Sequence, residues 1–271
     1  MEWRNLWRGV VMGITDLIPG ISGGTMAVIL GIYQRLIEAI NGLISREWKK
    51  HVLYLIPVGL GMVAAIFGFS RVMDWLLANA AQPTYFFFIG LILGIVPYLF
   101  NKIEFRRTFT PLHYGLLLVA AAAVYGIGLL RAEETGAIIE SPALNEFIFL
   151  FFAGWLASAA LILPGISGTF LLLLLGLYPT VINALKTFNL PVIIVVGAGI
   201  VIGILLTSKV VHALLKRFTI GTYAVVIGMV LGATIVIFPG FGGGALQLVL
   251  SIVTFLGGLA VAVFLGKMAH D

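Results

Sequence analysis

Two clusters of hydroxyls and glycines are the parts of this chain best suited to chemistry. Ser22-Gly23-Gly24-Thr25 and Ser167-Gly168-Thr169 each set side-chain donors beside backbone that little side chain shields. Each follows a proline and a glycine, Pro19-Gly20 and Pro164-Gly165. Proline removes a donor and clashes with the preceding turn, and glycine permits positive φ. Serine suits the first position of a new helix. The free amides and the positive dipole end of such a helix start favour an anion. Ser22, Thr25, Ser167 and Thr169 would add hydroxyl donors. A plainer reading of either motif is a proline kink with glycines that let helices pack closely.

The two clusters belong to a repeat. Ile18-Pro19-Gly20-Ile21-Ser22-Gly23-Gly24 returns 145 residues later as Leu163-Pro164-Gly165-Ile166-Ser167-Gly168-Thr169. Both copies run on to Gly-Ile/Leu-Tyr, at Gly31-Ile32-Tyr33 and Gly176-Leu177-Tyr178. A second register, offset by 138, matches Gly61-Met62 through Gly94 with Gly199-Ile200 through Gly232. In it Ser70-Arg71-Val72 faces Ser208-Lys209-Val210, Thr84-Tyr85 faces Thr222-Tyr223, and Gly90 and Gly94 face Gly228 and Gly232.

Composition says what surrounds these motifs. The 271 residues are 61% hydrophobic and 10% charged. A soluble domain cannot cover that much apolar surface with so few charges. Apolar segments near 52–79, 84–100, 111–130, 191–217, 220–238 and 245–267 are long enough to cross a bilayer, which takes roughly 20 residues. Segments 5–44 and 144–188 are each broken near the middle by Pro-Gly-Ile-Ser-Gly. Ten-residue alternating strands are absent, which excludes a membrane barrel. The expected fold is an all-α integral membrane protein. Its halves, 1–130 and 144–271, would each hold a broken, re-entrant hairpin and three spans. The chain start lacks a small-residue cleavage site and is read as mature protein. Cysteine is absent, which excludes disulfides and thiolate chemistry. Nucleic-acid binding lacks a soluble basic face.

An odd number of crossings per half makes the second half inverted relative to the first. Arg4, Arg8, Arg46, Lys49, Lys50, Lys102, Arg106, Arg107, Lys216, Arg217 and Lys267 then fall on the side of the N-terminus. Arg131 and Lys186 fall opposite, with Glu133, Glu134 and Glu140. The positive-inside rule places both termini in the cytoplasm. Two helix-breaking motifs at matching places in inverted halves point to a transport site, with the tips meeting near the midplane. Two opposed helix starts there suit a phosphate group.

The remaining charges are candidates around that site. Asp16 lies three residues before Pro19, and an acid in a membrane segment is a functional candidate, here for proton coupling. It could instead cap the backbone of the broken turn. Its counterpart is Leu161. Arg35 and Glu38 share a helical face and could pair, or Arg35 could hold the phosphate with its planar fork. Arg71 and Asp74 have the same spacing, and Lys209 keeps the cation of Arg71 in the second half. Pro239 through Gly244 reads as a turn, since no Lys-Ser/Thr pair follows it. His51, His113 and His270 sit near cytoplasmic ends without helical ligand spacing, so neither a metal nor another cofactor is expected.

The stretch Gly13-Ile14-Thr15-Asp16-Leu17-Ile18-Pro19-Gly20-Ile21-Ser22-Gly23-Gly24-Thr25, with its later copy, resembles the bacterial polyprenyl-phosphate (undecaprenyl phosphate) transporter family over essentially the whole chain. The resemblance implies a carrier in the bacterial cytoplasmic membrane. It would return undecaprenyl phosphate from the outer to the inner leaflet for reuse in cell-envelope synthesis. Its partners would be the lipid phosphate, the membrane and protons as coupling ion, with a homo-oligomer left open. Membrane undecaprenyl-pyrophosphate phosphatases are similar in their inverted hairpins and Pro-Gly-x-Ser motif. Their motif continues with Arg, where Gly23 and Gly168 stand here, and no Glu-x-x-x-Glu occurs. Phosphoryl chemistry would lack its charge clamp. A small-anion channel or exchanger is a further alternative.

Overall fold

The computed structural model describes residues 3–17, 22–130, 138–139, 142–242 and 244–268. Pro19 and Gly20 of the first motif lie outside them, as do Arg131, Glu133, Glu134, Glu140 and His270 and the side chains of Asp74 and Lys267.

Among the described residues every α-helix and turn belongs to an all-helical chain. The first half holds α1 (Arg4–Asp16), α2 (Gly23–Ile29), α3 (Tyr33–Asn41), α4 (Trp48–Asn79), α5 (Ala81–Lys102), α6 (Phe105–Thr108) and α7 (Pro111–Leu129). The second holds α8 (Leu144–Ile162), α9 (Gly168–Leu174), α10 (Tyr178–Thr187), α11 (Leu190–Arg217), α12 (Thr219–Val236) and α13 (Ala245–Met268). Seven helices, α4, α5, α7, α8, α11, α12 and α13, are long and apolar enough to cross a membrane. The chain is therefore a multi-pass, all-α membrane protein. Phe67, Leu118, Ile194 and Leu246 are exposed on these helices, where lipid rather than water would cover them.

Small residues decide which helices touch. In lipid no hydrophobic drive separates helix from tail, so close packing at glycine holds helices together. Helix α1 packs on α4, and α8 packs on α11. A Cβ on Gly9 would overlap the Val58 carbonyl, and one on Gly154 would overlap the carbonyl of Val196. The last helices cross over between halves: α7 packs on α12, and α13 packs on α5. There Gly90 meets the Phe255 carbonyl and Gly228 meets that of Leu117. Leu117 of α7 and Phe255 of α13, 138 residues apart, thus meet glycines that are also 138 residues apart.

The broken segments hold a second break. A hairpin with one break implies a single helix after each Pro-Gly motif; the stretch is instead a seven-residue helix followed by another. Gly31 and Gly176 have φ of 68° and 70°, the left-handed region that glycine enters without penalty. The Ile32 amide bonds back to Ala27 and the Leu177 amide to Leu172, the glycine-terminated helix end. Helices α9 and α10 consequently meet at 107°. The recurring Gly-Ile/Leu-Tyr is this stop followed by the next helix start. Helix α1 has 13 residues, about 20 Å at 1.5 Å per residue, too short to span alone. Helix α8, at 19 residues, is long enough.

Candidate functional site

The two repeated motifs touch. The Gly165 amide donates to the Thr25 hydroxyl at 2.8 Å, and the Ser22 hydroxyl donates to the Leu163 carbonyl at 3.4 Å. A Cβ on Gly24 would press on the carbonyls of Leu161 and Ile162. Ser22, Thr25 and Gly168 are buried. Residues 140 positions apart thus share one contact, between the first turn of α2 and the break that separates α8 from α9. Gly165 itself has φ of 85° and lies on the Met229 carbonyl of α12, so no other residue fits there.

The start of α2 has its own anion. The Gly23 amide donates to the Asp16 carboxylate. Asp16 therefore acts as the cap that one reading of the sequence allowed. The start of α9 differs, because Leu161 replaces the acid. There the Ser167 hydroxyl accepts from the Phe170 amide at 3.5 Å and bonds the Thr169 hydroxyl at 2.8 Å. The Gly23 amide and the Ser22, Ser167 and Thr169 hydroxyls are thus engaged within the protein in this conformation.

Four other expected site residues, Arg35, Glu38, Arg71 and Lys209, show their described contacts elsewhere. Arg35 is on α3, beyond the second break, and stacks 5.1 Å over the Tyr54 ring. With Glu38, Lys50 and His51 it lines a cavity of about 490 Å³ at the α3–α4 turn. Glu38 accepts from Gln34 at 3.3 Å. Gly31, at φ of 68°, ends α2 before Arg35, and the described contacts of Arg35 are with α4. Arg71 and Lys209 are exposed on α4 and α11 and line none of the described cavities. Among the described residues no cluster of His, Asp or Glu could hold a metal ion.

A larger cavity, about 670 Å³, runs beside the motifs between the start of α7, the end of α11 and the start of α12. Leu163, the residue before Pro164, and the buried Met229 line it, as do the half-buried His113 and the exposed Arg217. Tyr33, at the start of α3, lines it too. Sequence reasoning missed Tyr33 and set His113 and Arg217 among the cytoplasmic charges. The recurrence of tyrosine after each glycine stop was the signal available for Tyr33.

Comparison with known proteins agrees with this architecture. A model of the undecaprenyl phosphate translocase-like family matches residues 12–243. A protein of Staphylococcus aureus named polyprenyl-phosphate transporter is 37% identical over 281 aligned positions, covering 100% of this chain and 98% of its own. One of the same name from Vibrio cholerae is 36% identical over 245 positions, covering 86% and 76%. No solved structure matches the chain.

Proposed function

The chain belongs to the undecaprenyl phosphate translocase-like family, and from that premise we propose that it carries polyprenyl phosphate across the bacterial cytoplasmic membrane. It is a transporter and not an enzyme. A lipid phosphate has one group that hydrocarbon excludes and a tail that hydrocarbon accepts. A carrier need shelter only the head.

The observation that carries this reading is the contact of the two Pro-Gly motifs through Thr25 and Gly165. It puts irregular backbone, four hydroxyls and one acid where apolar helices break. We take the halves 1–130 and 144–271 as inverted repeats with re-entrant hairpins and both termini in the cytoplasm. Equivalent glycine contacts at Gly9 and Gly154, and at Gly90 and Gly228, support the repeat. The 107° bend after α9 supports a hairpin that turns back. Rocking of the halves would expose the motifs to each leaflet in turn and move the phosphate from the outer to the inner one.

Within that cycle Ser22, Gly23, Gly24 and Thr25 receive the phosphate with Ser167, Gly168 and Thr169 once the two motifs part. Pro19, Gly20, Pro164 and Gly165 hold the turns. Asp16 competes with the phosphate for the Gly23 amide. Its protonation removes the competing charge and couples the step to protons.

The test is translocation of labelled undecaprenyl phosphate in liposomes holding the purified protein, with phosphate release read in parallel. Head-group translocation without release, lost in Ser22→Ala with Thr25→Ala, is the expected result. Release of phosphate from the pyrophosphate lipid would mean an enzyme. Neither signal from folded protein, with small-anion flux instead, would mean a channel or exchanger.

A further inference from the structure

The cavity between α7, α11 and α12 has a mixed lining. Its apolar part includes Leu112, Leu116, Leu163, Val211 and Leu214. Its polar part includes Arg217, His113 and Tyr33. Thr219 and Thr222 also line it, but their hydroxyls donate to the carbonyls of Leu215 and Phe218. His113 Nδ1 accepts from the Thr110 amide at 3.1 Å, which leaves Nε2 as the protonated, donating nitrogen. Tyr33 is only 5% exposed, and its hydroxyl has no hydrogen-bond partner among the described residues. A buried hydroxyl without a partner is costly, and a ligand oxygen would relieve it. On its other side Tyr33 lines a small cavity with Lys102, whose ammonium lies 5.6 Å over the Tyr223 ring. No described acid lines either cavity.

The matching place in the other half is shut. Moving 138 residues back, Ile220 and Gly221 become Gln82 and Pro83, and Arg217 becomes Asn79. Moving 138 forward, His113 and Leu116 become Ser251 and Thr254. Gln82 donates to Ser251 at 3.2 Å, and Thr254 donates to the Pro83 carbonyl at 2.8 Å. Phe86, Phe238 and Phe241 stack beside them, with ring centres 5.2–5.8 Å apart. One end of the molecule therefore has an open groove where the other has a hydrogen-bonded seam.

We propose that this groove is a binding site for polyprenyl phosphate on the cytoplasmic side, with Arg217, His113 and Tyr33 on the phosphate and the first isoprene units along its apolar part. The assignment rests on the carrier reading above and adds a second station beside the tips. The occupant follows from the lining. Cationic and neutral donors without acids suit a phosphate, and guanidinium suits it best. The apolar part suits a hydrocarbon continuous with it, and the volume lies within the usual range of about 300–1,000 Å³ for ligand pockets. A long tail exceeds that volume, so most of it remains in the bilayer. Leu163 makes the groove continuous with the Pro164 tip.

The experiment measures binding of labelled undecaprenyl phosphate to the purified full chain in detergent, beside binding of neutral polyprenol, and translocation in liposomes. Tyr33→Phe deletes only the unpartnered hydroxyl and leaves the packing intact; Arg217→Gln deletes the charge, and Arg217→Lys returns it. Tyr33→Phe and Arg217→Gln are each expected to weaken phosphate-lipid binding about tenfold. Polyprenol binding stays unchanged, and Arg217→Lys recovers part of the loss. Wild-type affinity in both deletion variants, with translocation intact in the parent, overturns the groove assignment and leaves the carrier reading standing. Absence of translocation in the parent itself overturns the carrier reading instead. Displacement of the labelled lipid by millimolar inorganic phosphate alone would mean a small-anion site and also overturns the assignment.

Discussion

The Gly165 amide and the Thr25 hydroxyl form a buried hydrogen bond of 2.8 Å that joins the first repeated motif to the second. Thr25 sits in the first turn of α2, and Gly165 sits between α8 and α9. Among the described residues it is a shorter link between the motifs than the Ser22–Leu163 bond, and alternating exposure would have to break it.

Thr25→Val keeps the shape and leaves the Gly165 amide without an acceptor. A buried donor so orphaned costs about 1–3 kcal/mol. The expected outcome is a lower melting temperature in detergent, with Thr25→Ser restoring most of it. Equal melting of Thr25→Val and the parent would show that the bond does not hold the tips.

Asp16 caps α2 through the Gly23 amide. Asp16→Asn keeps an acceptor oxygen but cannot lose or gain a proton. Translocation by this variant should no longer vary with pH, while the protein stays folded. Asp16→Leu, which copies the second motif, should in addition lose about 1 kcal/mol of capping stability. A pH profile unchanged in Asp16→Asn would place the coupling elsewhere.

The seam of Gln82 with Ser251 should control access at its end. The chain contains no cysteine, so a single introduced thiol is labelled without background. Thr84→Cys lies buried beside the seam, whereas Thr222→Cys is its counterpart on the open groove. In the parent only the second should react with a soluble maleimide. Adding Gln82→Leu should make Thr84→Cys reactive. Continued protection of that thiol would remove the seam as a gate.

Gly176→Ala should cost about 1–2 kcal/mol, because φ of 70° is the left-handed region. Gly31→Ala at φ of 68° should cost the same. Thermal unfolding of the two variants checks this. A much larger loss in one would mean that its bend also carries contacts the other lacks.

Much of the architecture can be read from the residues alone. Long apolar runs mark the helices, and the Pro-Gly motifs mark breaks, because few residue types permit those backbones. The second break was visible as a recurring Gly-Ile/Leu-Tyr, but its geometry depends on a backbone angle that any glycine permits and none requires. The crossed packing of α7 and α13 was hidden because Leu117 and Phe255 are ordinary apolar residues in a chain full of them. The groove was hidden for another reason. Tyr33, His113 and Arg217 come from three distant segments, and no spacing announces their meeting. For Asp16, sequence supplied both readings; the Gly23 amide supplies the cap, and the pH profile of Asp16→Asn tests the coupling.

The crossover of the last helices bears on biogenesis. Helix α5 is made early, yet the helix that covers Gly90 and Gly94 is α13, made much later. Until it arrives, a glycine-lined face of the newly inserted first half stays bare to lipid. Helix α7 meanwhile waits for α12. The packing of α5 and of α7 therefore depends on helices made much later in the chain, α13 and α12. A ribosome stalled before α13 should leave an intermediate that membrane quality-control proteases recognise.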